Sequence, residues 1–243
     1  MAPERVVRIL GKPVSQSLSP VMQNAAFEAV GLPWRYEALE VEPDGLEAAV
    51  RDLDVGANVT IPYKVAVFDL CAEVDEVARR AVSVNTIVMS DGEAYGSSTD
   101  GLAVTGALGD VTGLQALVLG AGGAARAVVA ALETAGAEVS IASRSGEWPP
   151  DASRADVIVN ATPVKDELLV EPRRSQAVVD LAYNADGTAT ALIAAAHLAG
   201  CATVVDGLEI LVRQGAASFE RWTGLEAPID VMRAALVSPK SAN

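Results

Sequence analysis

Ala116-Leu117-Val118-Leu119-Gly120-Ala121-Gly122-Gly123-Ala124 is a short apolar run that breaks into a glycine-rich turn, and Ala125 to Ala135 carries it on as a helical pattern closed by Gly136. Four apolar residues bounded by such a turn read as a strand buried on both faces. Val139-Ser140-Ile141-Ala142 is the next strand, with Arg144 at its tip. This is the layout of a dinucleotide-binding β-α-β unit. Its glycines let backbone approach a pyrophosphate, and the helix N-terminus offers free N–H groups and a positive dipole end. Methyltransferases and plain structural turns use similar loops, so the residue ending the second strand discriminates. An acidic side chain there would accept from a ribose 2′-hydroxyl and favour NAD. Arg144 instead offers a fork of donors to the 2′-phosphate of NADP, although an arginine at a strand end can also simply face solvent.

Working outward, Val157 to Asn160, Ala177 to Leu181 and Ala202 to Val205 add strands to a block that opens near Gly101. The preceding block also alternates. Arg5 to Leu10 is a strand, and Ser19 to Val30 a helix begun by a serine cap, with Pro20 in its first turn and Gly31 at its end. Tyr36 to Val41 is a strand, Asp44 to Asp52 a helix and Ala57 to Ile61 a third strand. The pattern predicts an α/β protein with a mainly parallel sheet in this block. A helical stretch is expected from Lys64 to about Ala81, then a hairpin of Thr86 to Met89 with Glu93 to Gly96, turning through Asp91-Gly92. The tail Ser238 to Asn243 is expected to fray.

Composition narrows the function classes. The chain has 243 residues, long enough for a substantial core in one large or two small domains. Charges and glycines interrupt every apolar run before the roughly 18 residues that span a bilayer, and Met1-Ala2-Pro3-Glu4-Arg5 opens no signal-peptide core. No membrane partner and a cytoplasmic location are expected. A net charge of −14 argues against nucleic acid as a partner. Cys71 and Cys201 lie in apolar surroundings and make no Cys-x-x-Cys pair, so they read as buried free thiols. His197 is the single histidine and lies in an alanine-rich helical run, which argues against a histidine-built zinc site and reads as structural. No metal is expected.

Asn58-Val59-Thr60-Ile61-Pro62-Tyr63-Lys64 places a hydroxyl and an ammonium four residues apart in an apolar run. Pro62 lacks an N–H and disfavours a helical Ile61, so a strand should end in a turn there. Thr60 and Lys64 would then leave the strand aimed at one pocket. A lysine among Val, Ile and Tyr can have its pKa lowered by desolvation and so become a proton carrier, or it can snorkel to solvent.

This segment resembles the active-site signature of the shikimate dehydrogenase family, and further motifs follow in order. Ser17-Leu18-Ser19-Pro20 is similar to the family's substrate-carboxylate loop; Val84-Asn85-Thr86 and Thr99-Asp100-Gly101 match two more of its segments. Gly120-Ala121-Gly122-Gly123-Ala124 resembles its cofactor loop, Ser143-Arg144-Ser145 its phosphate segment, and Gln214-Gly215-Ala216 its C-terminal substrate glutamine. The resemblance runs from about Gly11 to Trp222.

The resemblance implies reversible hydride transfer between NADP and shikimate, with 3-dehydroshikimate as the ketone partner. It implies Lys64 and Asp100 as the catalytic pair. Ser17, Ser19, Thr60, Asn85, Tyr183 and Gln214 would join them in binding substrate. Glu76, Gly120, Ala121, Gly122, Gly123, Ala124, Ser143, Arg144, Ser145, Leu181 and Gly207 would contact the cofactor. Residues 1–100 would form the substrate-binding and catalytic domain, with a C-terminal helix at about 225–243 packed back on it. Residues 101–224 would form a Rossmann-like NADP-binding domain. A monomer or homodimer acting on a small molecule is expected.

Several positions depart from the family pattern. Gln16 and Gln23 stand where histidines are common, Val82-Ser83 replaces Gly-Ala, and Ser98 replaces an asparagine. Lys165 stands where a glycine usually follows Asn-Ala-Thr-Pro, and Ala185 replaces a proline. Quinate or aminoshikimate is therefore an alternative substrate, and a noncatalytic NADP-binding sensor an alternative of another class. Only Ser145 to Ala155 follows Arg144 before the next strand, and Pro149-Pro150 bars a helix interior there. One helix-strand unit at the sheet edge should be missing.

Overall fold

The computed structural model describes residues 4–144, 146, 148 and 150–237. Ser145, Pro149 and the Ser238 to Asn243 tail, all part of the sequence reading, lie outside the described residues. In chain order the elements are β1 (Arg5–Gly11), α1 (Ser19–Ala29), β2 (Trp34–Glu40), α2 (Leu46–Arg51), β3 (Gly56–Val59), β4 (Glu73–Val74), α3 (Glu76–Ala81), β5 (Thr86–Ser90), β6 (Glu93–Ser97) and α4 (Asp100–Leu108). Then come β7 (Gln115–Leu119), α5 (Gly123–Thr134), β8 (Glu138–Ala142), β9 (Val157–Asn160), β10 (Ala177–Asp180), α6 (Ala191–Ala199), β11 (Val204–Val205), α7 (Gly207–Thr223) and α8 (Ile229–Val237). They form two compact units. One holds the described residues up to Asp75, Val84–Thr99 and the described residues from Val212 on; the other holds Glu76–Ser83 and Asp100–Leu211.

The first unit is built on a six-stranded sheet in the order β2-β1-β3-β5-β6-β4. β1 is flanked by β2 and β3, both parallel to it, while β5 runs antiparallel to β3 and to β6. The β5–β6 turn at Asp91-Gly92 has positive φ at both residues, 52° and 80°, as a two-residue hairpin requires. Phe27 of α1 stacks on Phe219 of α7 with ring centroids 5.5 Å apart, and α8 packs against α1. Trp222 donates its indole N–H to the Ile87 carbonyl at 2.8 Å, so its buried polar atom is satisfied.

The second unit is a parallel five-stranded sheet in the order β11-β10-β9-β7-β8. Alternate residues separate its two cores, as the period of a strand demands. Ala116, Val118, Val157, Val159 and Val179 pack with Val104, Val128 and Leu132 of α4 and α5. Leu117, Leu119, Ile158 and Val178 pack with Leu192 and Ala196 of α6 on the other face. The expected shortening is seen: among the described residues no strand lies between β8 and β9, and β8 is the sheet edge. Trp148 and Ala152 from the short connection pack on the Leu117 face instead.

Four expectations are corrected. The Lys64 to Ala81 stretch is not one helix: a 3-10 turn at Ala66–Leu70, β4 and α3 divide it. Ala72 and Asp75 donate their N–H groups to the carbonyls of Ala94 and Gly96, at 2.8 and 2.9 Å, and this pairing with β6 displaces helical bonds. Ser19 is not the cap of α1 but its first residue; Leu18 occupies the cap position without a side-chain bond. The cysteines are free but only half-buried; burial pushes the Cys71 thiol up to about 11, which leaves it protonated and unreactive at neutral pH. The units do part between Thr99 and Asp100, but Glu76–Ser83 joins the second unit, where α3 packs against α5, and the first unit resumes at Val212 rather than about 225, with Phe219 and Trp222 of α7 in its core.

Candidate active site

The first-unit candidates come from two loops that leave adjacent parallel strands at the same end. Lys12 donates its N–H to the Ile61 carbonyl at 3.0 Å and Thr60 donates to the Leu10 carbonyl at 2.9 Å, which joins the loop after β1 to the loop after β3. The carboxyl ends of parallel strands are where open α/β sheets bind ligands. Tyr63 anchors the second loop: its hydroxyl donates to the Val41 carbonyl at 2.6 Å, and the ring is 4% exposed. Lys64 follows it, half-buried, with its carbonyl accepting from the Val84 N–H at 2.8 Å. On the first loop, Ser17 accepts the Ser19 N–H at its hydroxyl, 3.2 Å away. Both serines stand at the entry to α1.

Behind these loops lies a buried polar network. Asn58 accepts from the Tyr36 hydroxyl at 2.7 Å and aims its amide N–H groups at the Asn85 carbonyl, Thr86 Oγ1 and Ser218 Oγ, at 3.1, 3.2 and 2.9 Å. Asn85 Oδ1 accepts the Thr99 N–H at 2.8 Å, and Asn85 Nδ2 donates to Thr99 Oγ1 at 2.9 Å. Asn85 thereby holds the residue before Asp100. Ser218 donates to the Gln214 carbonyl one turn earlier on α7, at 2.9 Å. Such a network costs little while every member is paired and much when one is not.

The second unit holds Asp100, Tyr183 and every cofactor candidate that the structure describes. Asp100 opens α4 and is 7% exposed. Glu76 opens α3 and pairs with Arg79 at 3.2 Å. At the cofactor loop, Gly122 is the cap of α5 and no side chain occupies the cap, so the first-turn N–H groups face outward. A Cβ built on Gly122 would meet nothing within 4 Å among the described residues, which leaves room for a pyrophosphate at the helix end. Arg144 is exposed just beyond β8. Gly207 packs directly on the carbonyls of Leu181 and Ala182, and a cavity of about 120 Å³ beside them is lined by Tyr183, Thr188, His197, Asp206 and Leu208. The uncapped α5 N-terminus and the open approach at Gly122 fit the anionic bridge of a dinucleotide.

Asp180 was not singled out from the sequence, yet it organises this region. It is fully buried; Oδ1 accepts from Asn160 Nδ2 and the Ala182 N–H, both at 2.9 Å, and Oδ2 from the Thr190 hydroxyl at 2.6 Å. Thr190 in turn caps α6. Burial holds the Asp180 carboxyl above the ordinary carboxylate range, against the pull of those three bonds. A charged residue ending an otherwise apolar strand was the available signal. Asn58, Thr86, Thr99 and Ser218 were likewise unassigned, because their partners are remote in sequence.

Residues 9–87 match the family model for the shikimate dehydrogenase substrate binding domain, and residues 207–237 that for the shikimate 5'-dehydrogenase C-terminal domain. A shikimate dehydrogenase (NADP(+)) of Methanopyrus kandleri is 41% identical, covering 97% of this chain and 96% of its own. The chain belongs to the shikimate dehydrogenase family. Another shikimate dehydrogenase (NADP(+)), from Moorella thermoacetica, is 39% identical over 93% of this chain and 90% of that one. The crystal structure of shikimate 5-dehydrogenase from Thermus thermophilus, in complex with NADP(H) and shikimate, superposes with a TM-score of 0.86 at 34% identity, covering 96% of this chain and 98% of that one. The shikimate dehydrogenase likeness thus extends through both units. Among the described residues no helix is long and apolar enough to cross a membrane.

Proposed function

We propose that this chain is an NADP-dependent oxidoreductase that interconverts 3-dehydroshikimate and shikimate, a step toward chorismate and the aromatic amino acids. The observation that carries the reading is the joining of the Ser17/Ser19 loop to the Thr60/Lys64 loop at the carboxyl ends of β1 and β3, in a chain similar over its length to named shikimate dehydrogenases. NADP, when bound, supplies or accepts the hydride. Ser17 and Ser19 are neutral donors for the substrate carboxylate, joined by Thr60 and Tyr183. Asn85 and Gln214, each able to donate and accept, suit ring hydroxyls. Lys64 gives a proton to the carbonyl oxygen as it becomes alkoxide, and takes one in the reverse direction. Asp100 is assigned the carboxylate that orients the ammonium and a substrate hydroxyl.

The α5 N-terminus and residues 120–124 would hold the pyrophosphate, Ser143, Arg144 and Ser145 would bind the 2′-phosphate, and Glu76, Leu181 and Gly207 would face the nicotinamide. The protein works in the cytoplasm as a monomer or homodimer.

Mixing the protein with NADP and shikimate, quinate or aminoshikimate, and following absorbance of the reduced nicotinamide, tests the reading. Shikimate should turn over, with quinate poorer by about five- to 150-fold, since its additional hydroxyl enters without a partner. Equal or faster quinate turnover would reassign the substrate, and cofactor binding without turnover of any would point to a sensor.

A further inference from the structure

Gln23 lies in α1 one turn beyond Ser19, on the same face, and is fully buried. Its amide Nε2 donates to the carbonyl of Gly215 at 2.9 Å. Gly215 is the residue after Gln214, and the two helices touch there: a Cβ on Gly215 would stand 2.3 Å from Met22 Cε and 3.2 Å from Gln23 Nε2. The Gly215 carbonyl lies inside α7, where it also accepts the ordinary bond from four residues on, so the bond from Gln23 is an extra one. At the same time Gln23 Oε1 is buried with no partner among the described residues. Flipping the amide would set that oxygen against the Gly215 carbonyl, so the orientation is decided. A core position thus keeps an amide whose carbonyl is a liability and whose N–H serves a helix that needs no further donor.

We infer that Gln23 is a positioning residue for substrate recognition, clamping α7 at Gly215 so that Gln214 and Ser19 keep one fixed relation. The inference rests on the proposed role of Gln214 as a substrate ligand. A residue kept for stability alone would be better replaced by an apolar side chain of similar length, because that removes the orphan oxygen and leaves the helical bond of Gly215 intact. Stability and recognition therefore respond in opposite senses to the same substitution.

Gln23→Met decides it, measured with Gln23→His, Gln214→Leu and the double variant by steady-state kinetics and thermal unfolding. Gln23→Met should raise the KM for shikimate roughly three- to tenfold, the range of one neutral hydrogen bond, while KM for NADP stays within about twofold and Tm does not fall. Gln23→His, whose ring N–H can reach the same carbonyl, should recover part of the lost affinity. Adding Gln23→Met to Gln214→Leu should raise the KM no further, since one acts through the other. A shikimate KM unchanged in Gln23→Met but raised in Gln214→Leu would overturn the inference and leave the reading of Gln214 standing. An additive double variant, or a Tm that falls in step with affinity, would also overturn it. If Gln214→Leu itself leaves the KM unchanged, the substrate role of Gln214 fails and the inference falls with it.

Discussion

A Cβ placed on Gly11, the last residue of β1, would stand 2.3 Å from Thr60 Cγ2, so the two loops of the candidate site meet at a contact that only glycine allows. The Ile61 carbonyl, 3.2 Å from the same point, closes the other side. Gly11→Ala must therefore push Thr60 out of its rotamer or part the loops. The expected cost is about 1–3 kcal/mol of stability, with a raised KM for shikimate and an unchanged KM for NADP. Urea unfolding and initial rates check both; an unaltered shikimate KM would remove Thr60 from the substrate site.

Lys64→Ala should lower kcat by roughly two to four powers of ten, the usual scale of a lost general acid or base. Because Lys64 and the described cofactor candidates belong to different units, NADP affinity by fluorescence titration should hold within about twofold. Asp100→Asn should also impair turnover and weaken substrate binding. Turnover and cofactor binding lost together in the lysine variant would deny it the proton-carrying role.

Arg144 stands at the tip of the edge strand β8, where the shortened connection supplies no further strand among the described residues. A single charge-assisted contact is worth roughly 1.5–3 kcal/mol, or about ten- to 150-fold. Wild type should prefer NADP over NAD by no more than that factor. Arg144→Ala should erase most of the preference and leave NAD use nearly unaltered, as competition between the two cofactors will show. A preference that survives the substitution assigns the phosphate to another residue.

Asp180 gives a prediction in pH. Desolvation raises its carboxyl in the folded state above its unfolded value, so between those two values the native protein binds more protons than the unfolded chain. Stability from this group is full below the unfolded value and is lost as pH rises through the folded one. In Asp180→Asn the amide oxygen can still accept from Asn160 and Ala182, and the amide N–H can donate to the Thr190 hydroxyl. The stability difference should move in favour of the variant as pH is raised from about 4 to 8. Denaturant titrations along that series measure it, and a difference that does not vary with pH would show that the carboxyl titrates alike in both states.

What could be read from the sequence was what neighbouring residues settle among themselves. The β7 strand, the Gly120 to Ala124 turn and α5 announce themselves by an apolar run, a glycine break and a helical period within twenty residues. The Asp91-Gly92 hairpin is equally local. Family resemblance added Lys64 and Asp100 as chemistry, because their motifs are contiguous. Tertiary structure decided the rest. Glu73 and Val74 became a strand because β6 offered them partners, against a local pattern that favoured helix. Asn58 found Ser218 across 160 residues, and Gln23 found Gly215 across 192. No local pattern encodes such pairs, since the demand that a buried polar group find a partner takes effect only when the chain has folded around it.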